Sequence, residues 1–167
     1  EAEHVWLFRR AGEVYRWTAS YGHSKEDHER IKQHTKTLMH SPGRGSVVGR
    51  VVTEGRPVQI ADVLADPEYT QTESQKLAHF RTLLGVPLLR EGAPIGALAL
   101  QRTEPRQYTR KQIELVETFA DQAVIALEHA AMAARLQSLA VIEERSRIAR
   151  EMHDSLAQLL GYLNLQV

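Results

Sequence analysis

The last third of the chain constrains its fold most, because it can form one very long helix. Between Arg110 and Val167 the sequence has no proline and a single glycine, Gly161. At about 1.5 Å per residue, a helix over this region would be about 87 Å long. A domain of this size cannot bury such a rod, so we predict a separate helical region that begins near residue 109.

Apolar residues recur every seven positions in this region. The series is Ile113, Ala120, Leu127, Ala134, Val141 and Ile148, with Val116, Ala123 and Ala130 at the companion positions. This heptad pattern predicts a coiled-coil seam, and a seam needs a partner, so we predict a parallel homodimer through the helix from Arg110 onward. Beyond residue 141 the better series is Ile142, Ala149, Leu156 and Leu163. Such a slip of one residue locally alters supercoiling.

Composition excludes several functional classes. The 21 basic and 21 acidic residues give a net charge of zero, which argues against nucleic-acid and membrane-surface partners. The absence of cysteine excludes disulfides, thiolate metal sites and a catalytic thiol, and it favours a cytoplasmic location. No apolar run is long enough to predict a membrane span. The chain begins at Glu1, and its helical pattern continues to Val167, so we expect a piece of a longer protein.

Before residue 109 the pattern changes to short apolar runs separated by turns. It predicts two hairpins, one from Val5–Arg9 and Val14–Ser20, the other from Leu83–Leu89 and Ile95–Gln101. Further predicted elements are a solvated helix over Lys25–Met39, a helix over Val47–Val52, a strand over Pro57–Ile60, a helix capped by Asp66 and begun by Pro67, and a final helix with a capping box of Thr109 and Gln112.

Three segments, Gly43–Tyr69, Phe80–Arg102 and Tyr108–Ala130, resemble in this order a GAF domain, a small-molecule sensor module of signalling proteins. The resemblance implies an α+β fold over residues 1–128, an antiparallel sheet of five or six strands flanked by helices, before the long C-terminal coiled-coil helix. It also implies a ligand pocket over one sheet face. By resemblance, the pocket is bordered by Val48, Tyr69, Phe80, Arg81 and Leu84. Arg81 would be placed to meet an anion, and the ligand itself is not specified.

Other candidate sites have simpler interpretations. The glycines between Gly43 and Gly49 lack the lysine of a phosphate-binding loop. Asp62 and Asp66 suit an Asx turn or a helix cap better than acid–base catalysis. The spacing of His23, His28, His34 and His40 does not place them on one helix face, so we predict no metal site. His79 is a lesser candidate for a ligand or haem contact. Bilin attachment and sulfoxide reduction, which depend on cysteine in the GAF family, are excluded.

The sharpest motif is His153-Asp154-x-x-x-Gln158, within Glu144–Leu159. Residues 142–167 resemble the phosphoacceptor helix of sensor histidine kinases of the nitrate/nitrite-sensor type. The resemblance implies that His153 accepts the phosphoryl group, that Asp154 orients or deprotonates it, and that Gln158 positions water for phosphatase activity. A neutral imidazole nitrogen is a competent nucleophile when a carboxylate holds the other nitrogen's proton.

The two resemblances predict a GAF sensor domain over residues 1–128, a helical linker over 110–141 that overlaps its last helix, and the first part of the phosphoacceptor helix over 142–167. The function expected is that of a sensory and dimerisation fragment of a histidine kinase that passes a phosphoryl group to a response regulator. ATP and Mg²⁺ would serve the full-length parent, and the fragment alone would be inactive. The alternatives are a ligand-binding and dimerisation module with another output, such as a cyclase, and a structural dimer spacer.

Overall fold

The computed structural model describes the backbone of residues 4–21, 33–34 and 37–164, and the side chains of these residues except 139–142, 145–146 and 148–164. The strands are β1 (His4–Ala11), β2 (Val14–Tyr21), β3 (Met39–His40), β4 (Val58–Ile60), β5 (Thr82–Arg90) and β6 (Ala93–Arg102). The helices are α1 (Val47–Glu54), α2 (Thr72–Ala78) and α3 (Arg110–Asn164). The chain divides into two compact units, Glu1–Val124 and Ile125–Val167.

The first unit is built on one antiparallel sheet with the strand order β3-β2-β1-β6-β5-β4. Both predicted hairpins are present. Gly12 (φ 66°) turns the chain between β1 and β2, while Glu91 and Gly92 (φ 51° and 78°) turn it between β5 and β6. Two successive residues with positive φ are typical of the tight hairpin turn whose twist matches that of the strands.

Helix α1 packs directly on β5, where Gly85 permits a close approach. A Cβ atom at Gly85 would lie 2.4 Å from Cγ2 of Val51 and 2.9 Å from Cγ2 of Val47. The helix begins as predicted: the Ser46 hydroxyl accepts a hydrogen bond from the Gly49 N–H at 3.0 Å. The buried faces of α1 and the sheet together form the core of the unit.

Two predicted helices differ in the structure. The helix predicted to begin at Asp66 and Pro67 is wrong, because Asp66 Oδ1 closes an Asx turn with the Glu68 N–H at 2.9 Å and its other oxygen binds Arg50. Helix α2 begins only at Thr72. The helix predicted over Lys25–Met39 does not reach residue 39, since Met39 and His40 pair with β2; residues 25–32 and 35–36 lie outside the described part.

The capping box at the start of α3 is confirmed. The Thr109 N–H donates to Gln112 Oε1 at 2.9 Å, and the Gln112 N–H donates to Thr109 Oγ1 at 3.3 Å. Ala120 of the predicted seam is 2% exposed within the single chain, whereas Phe119 is 62% exposed. The coiled coil therefore stays a prediction, and part of its first heptads is already covered without a partner chain. Over the described helices, none combines the length and apolar character needed to span a membrane.

Candidate functional site

A pocket lies over one face of the sheet in the first unit. Its volume is about 330 Å³ including the part open to solvent. Trp6 and Phe8 of β1 and Gln101 of β6 line it from the sheet, and Val48 of α1 and Tyr69 line it from the covering segments. A mostly apolar concavity with a few polar groups is the usual form of a small-molecule site.

Aromatic rings give the pocket its walls. The Phe8 ring meets the His40 ring edge to face, with the ring centres 4.8 Å apart, and it lies 6.1 Å from the Trp6 ring in a tilted arrangement. Tyr69 and Phe80 also pack edge to face, at 6.3 Å, in the segment that connects β4 to β5. Such edge-to-face pairs restrict ring orientation, so these walls are held by mutual packing.

Two ion pairs fix this connecting segment. Arg81 forms a forked pair with Asp62, with the Nε–H donating to Asp62 Oδ1 at 2.8 Å and Nη2 donating to the other carboxylate oxygen. Arg50, 6% exposed, donates to Asp66 Oδ2 at 2.6 Å. The hydrogen bonds from these arginines lower the pKa of both carboxyl groups. The two ion pairs therefore hold the segment between β4 and β5, which carries the lining residues Tyr69 and Phe80.

The five residues predicted to border the pocket have different places. Val48, Tyr69 and Phe80 line it. Leu84 is fully buried in β5, where its neighbour Leu83 lines the pocket; successive strand residues face opposite sides of a sheet, so Leu84 belongs to the other face. Arg81 is held by Asp62, which reduces its availability to an anion. Ligand binding by these five residues stays a prediction.

Among the histidines whose side chains the structure describes, His40 is the one that lines the pocket. His79, the lesser candidate for a ligand contact, is exposed at the C-terminal cap of α2 with φ 52° and does not line the pocket. His34 Nε2 lies 3.1 Å from the hydroxyl of Ser74, which is a lining residue. His23 and His28 lie outside the described residues.

The sequence analysis did not place any of the polar lining residues other than Tyr69 in the pocket, and two of them, His40 and Gln101, are deeply buried; the others are Ser46, Gln71 and Ser74. His40 is 6% exposed and Gln101 is 2% exposed. Burial lowers the pKa of the His40 imidazole to about 4, so the ring is neutral near pH 7. The sequence contained an indication for Gln101. This polar residue follows Ala97 and Ala99 at alternate positions of β6, and all three are buried.

Arg102, the residue after Gln101, joins the sheet to the start of α3. Its Nη1 donates to the carbonyl oxygens of Arg106 and Gln107 at 2.9 and 3.0 Å, and its guanidinium lies 3.9 Å from the centre of the Tyr108 ring. A buried arginine with several acceptors and an aromatic face is firmly oriented. The connection from β6 to α3 is thus fixed by one side chain.

The predicted phosphoacceptor residues all lie within α3. The backbone at His153, Asp154 and Gln158 is helical, and the side chains of these residues lie outside the described part. Asp154 and Gln158 are four residues apart, which places them one turn from each other on the helix. Their roles stay predictions.

Comparison with protein families decides the class of the first unit. Residues 2–128 match the model of the GAF domain family. The chain belongs to the GAF domain family. A second model, described as histidine kinase, matches residues 144–167, which follow the GAF domain and contain the His153 motif. Both resemblances found in the sequence are thereby confirmed.

The chain is also similar to two nitrate/nitrite sensor proteins. It is 39% identical over 72 residues to the nitrate/nitrite sensor protein NarX of Escherichia coli, and 61% identical over 31 residues to NarQ of the same organism. These matches cover 43% and 19% of this chain but only 12% and 6% of the relatives. The chain therefore spans a small part of their length.

A solved structure confirms the fold. The GAF domain of a phosphoenolpyruvate-protein phosphotransferase from Coxiella burnetii superposes with a TM-score of 0.66 at 21% identity, over 80% of this chain and 76% of that one. The predicted α+β class, with an antiparallel sheet flanked by helices and followed by a long helix, is correct.

Proposed function

We propose that this chain is the sensory and dimerisation part of a two-component sensor histidine kinase, in which the GAF domain controls phosphorylation of His153. The observation that carries the proposal is the order of two family matches in one chain, a GAF domain over residues 2–128 and a histidine kinase segment over 144–167. A cyclase output or a structural spacer has no comparable support. We assign the GAF domain to 1–128, the linker to 110–141 and the phosphoacceptor segment to 142–167.

The chemistry proposed at His153 is attack of an imidazole nitrogen on the γ-phosphorus of ATP, which forms an N–P bond, breaks the bond from that phosphorus to the bridging oxygen, and releases ADP. Asp154 holds one imidazole proton, so the other nitrogen presents its lone pair to phosphorus. Gln158 orients the water that later hydrolyses the phosphorylated response regulator. ATP, Mg²⁺ and the response regulator are the substrate, metal and partner that we propose for the whole protein. For the present chain we propose a cytoplasmic location, with which the absence of cysteine agrees.

Dimerisation through α3 is the second part of the proposal. In the first unit, Leu115 and Phe119 are 57% and 62% exposed and lie four residues apart, on one helix face. In the second unit, Ile125, Met132 and Leu136 are also exposed and lie seven and four residues apart. Rows of large apolar side chains at such spacings favour pairing with a second helix. A parallel pair would place both copies of His153 at the same end.

Signal transfer begins at β6. Gln101 lines the pocket, and Arg102 donates hydrogen bonds to the connection between β6 and α3. We propose that ligand occupancy shifts the preference between two packings of the paired helices, and thereby the presentation of His153.

Phosphorylation of the full-length protein tests the proposal. We expect His153→Gln to abolish phosphoryl incorporation from labelled ATP, because no other group takes over the nucleophile's role. The matched control is His129→Gln, since His129 is an exposed histidine of the same helix, and it should retain labelling. Equal labelling of wild type and His153→Gln would refute the assignment.

A further inference from the structure

The polar groups of the pocket include two atoms with no hydrogen-bond partner. Among the described residues, neither Gln101 Oε1 nor His40 Nδ1 has a partner, although both atoms are buried. Leaving a buried polar atom unsatisfied costs about 1–3 kcal/mol, so each such atom in a native fold calls for an explanation, such as a bound molecule. Both residues line the pocket, where a bound molecule would satisfy them.

The pocket is electrically neutral. Its lining, as far as the chain is described, contains no aspartate, glutamate, lysine or arginine, and its only ionisable groups are His40 and Tyr69. Burial lowers the pKa of His40 and raises the pKa of Tyr69, so both side chains are uncharged near pH 7. A charged ligand would therefore lose its hydration without gaining a counter-ion.

The N-terminus of α1 also borders the pocket, but it does not supply a counter-ion for an anionic ligand. Its capping hydroxyl, Ser46 Oγ, already accepts the Gly49 N–H. The helix has eight residues and supplies only a partial positive charge at its end, which does not replace a full counter-ion for a buried anion. The Arg50 guanidinium does not line the pocket, and its Nη1 is paired with Asp66, although its Nη2 is buried with no partner among the described residues.

We propose that the pocket binds a small, planar, uncharged molecule with an amide-like edge, whose N–H donates to Gln101 Oε1. The aromatic walls formed by Trp6, Phe8, Tyr69 and Phe80 suit a flat ligand. The neutral His40 imidazole offers a second partner, as acceptor or donor according to its tautomer. This inference rests on the proposed sensory role of the pocket and adds the chemical class of the ligand.

Ligands of equal shape and different charge test the inference. Benzamide, benzoate and benzamidinium form one such series, and acetamide, acetate and acetamidinium form a smaller one. Their binding to the 167-residue chain is measured by calorimetry and by the shift of the thermal midpoint. We expect an amide to bind at least about tenfold more tightly than its charged counterparts, a difference of about 1.4 kcal/mol. Equal or tighter binding of an anion or a cation, or no binding by either amide, would overturn the inference.

Gln101→Leu separates ligand binding from a structural role. The variant removes an unsatisfied buried oxygen, so its thermal midpoint should be unchanged or higher than that of wild type, while amide binding falls at least tenfold. The control is Gln122→Leu, on the exposed surface of α3. A lower midpoint, or retained amide binding, in Gln101→Leu would contradict the assignment. Binding requires no phosphorylation, so failure here and failure of labelling at His153 are distinguishable.

Discussion

Mild acid should destabilise the GAF domain through His40. Burial lowers the pKa of the His40 imidazole from 6.5 to about 4. The folded domain therefore keeps the ring neutral over a pH range in which the unfolded chain binds a proton. Because the unfolded state binds more protons there, the free energy of unfolding rises with pH between about 4 and 6.5 and falls as the solution is acidified.

The size of the effect follows from this difference in pKa. One pKa unit corresponds to about 1.4 kcal/mol, so moving from pH 7 to pH 5 should lower the free energy of unfolding by about 2 kcal/mol. The carboxyl groups of Asp62 and Asp66 also have lowered pKa values in the folded state. Their stabilisation is present above the ordinary pKa of 3.8 and is lost only below it, so they do not produce the loss between pH 7 and pH 5.

Urea unfolding at pH 7 and pH 5, followed by the fluorescence of Trp6 and Trp17, measures this loss. His40→Asn removes the titrating group, so its loss between the two pH values should be smaller than that of wild type by about 2 kcal/mol. The control is His79→Asn, because His79 is exposed and asparagine tolerates its positive φ. If His40→Asn and wild type lose equal stability on acidification, the reasoning is refuted.

Three further changes have defined outcomes. Gly85→Ala forces a Cβ atom against Val51 and should lower the free energy of unfolding by about 1–3 kcal/mol in urea titration. Phe119→Ser should raise the dimer dissociation constant measured by sedimentation, and an unchanged constant would move the interface off this face. In the full-length protein, Asp154→Asn should slow labelling of His153 with unchanged ATP affinity, whereas Gln158→Ala should spare labelling and reduce phosphatase activity toward the response regulator.

Local turn chemistry made much of the fold predictable. The β1–β2 and β5–β6 hairpins and the capping box at Thr109 each depend on residues within a few positions of one another. Asp66 failed as a helix cap because Arg50, sixteen residues earlier, takes one of its oxygens. A single sequence does not reveal such a non-local competitor, since only the folded chain brings the two together.

It was harder to predict which side chains face the pocket and whether an apolar residue packs within one chain or against a second chain. The heptad period correctly placed Ala120 on an apolar face of α3 but did not distinguish burial within one chain from burial between two. Likewise, His40 was considered only as a metal ligand, whereas it lies in β3 and lines the pocket. The burial of Ala120 depends on long-range packing, and the place of His40 depends on strand register. The period of a sequence encodes neither.

The adjacency of Gln101 and Arg102 shows how a small pocket can act on a long helix. In a strand, successive side chains face opposite sides of the sheet. Gln101 therefore lines the pocket, while Arg102 donates hydrogen bonds to the connection that leads to α3. In the proposed mechanism, a ligand hydrogen-bonded to the Gln101 amide acts on Arg102 through the backbone that the two residues share. Arg102 also reaches Gln112 Oε1 at 3.4 Å, the same atom that accepts the Thr109 N–H in the capping box. The side chains of Gln101 and Arg102 therefore connect the proposed ligand to the first turn of α3. This turn is the first part of the helix whose packing a bound ligand could change.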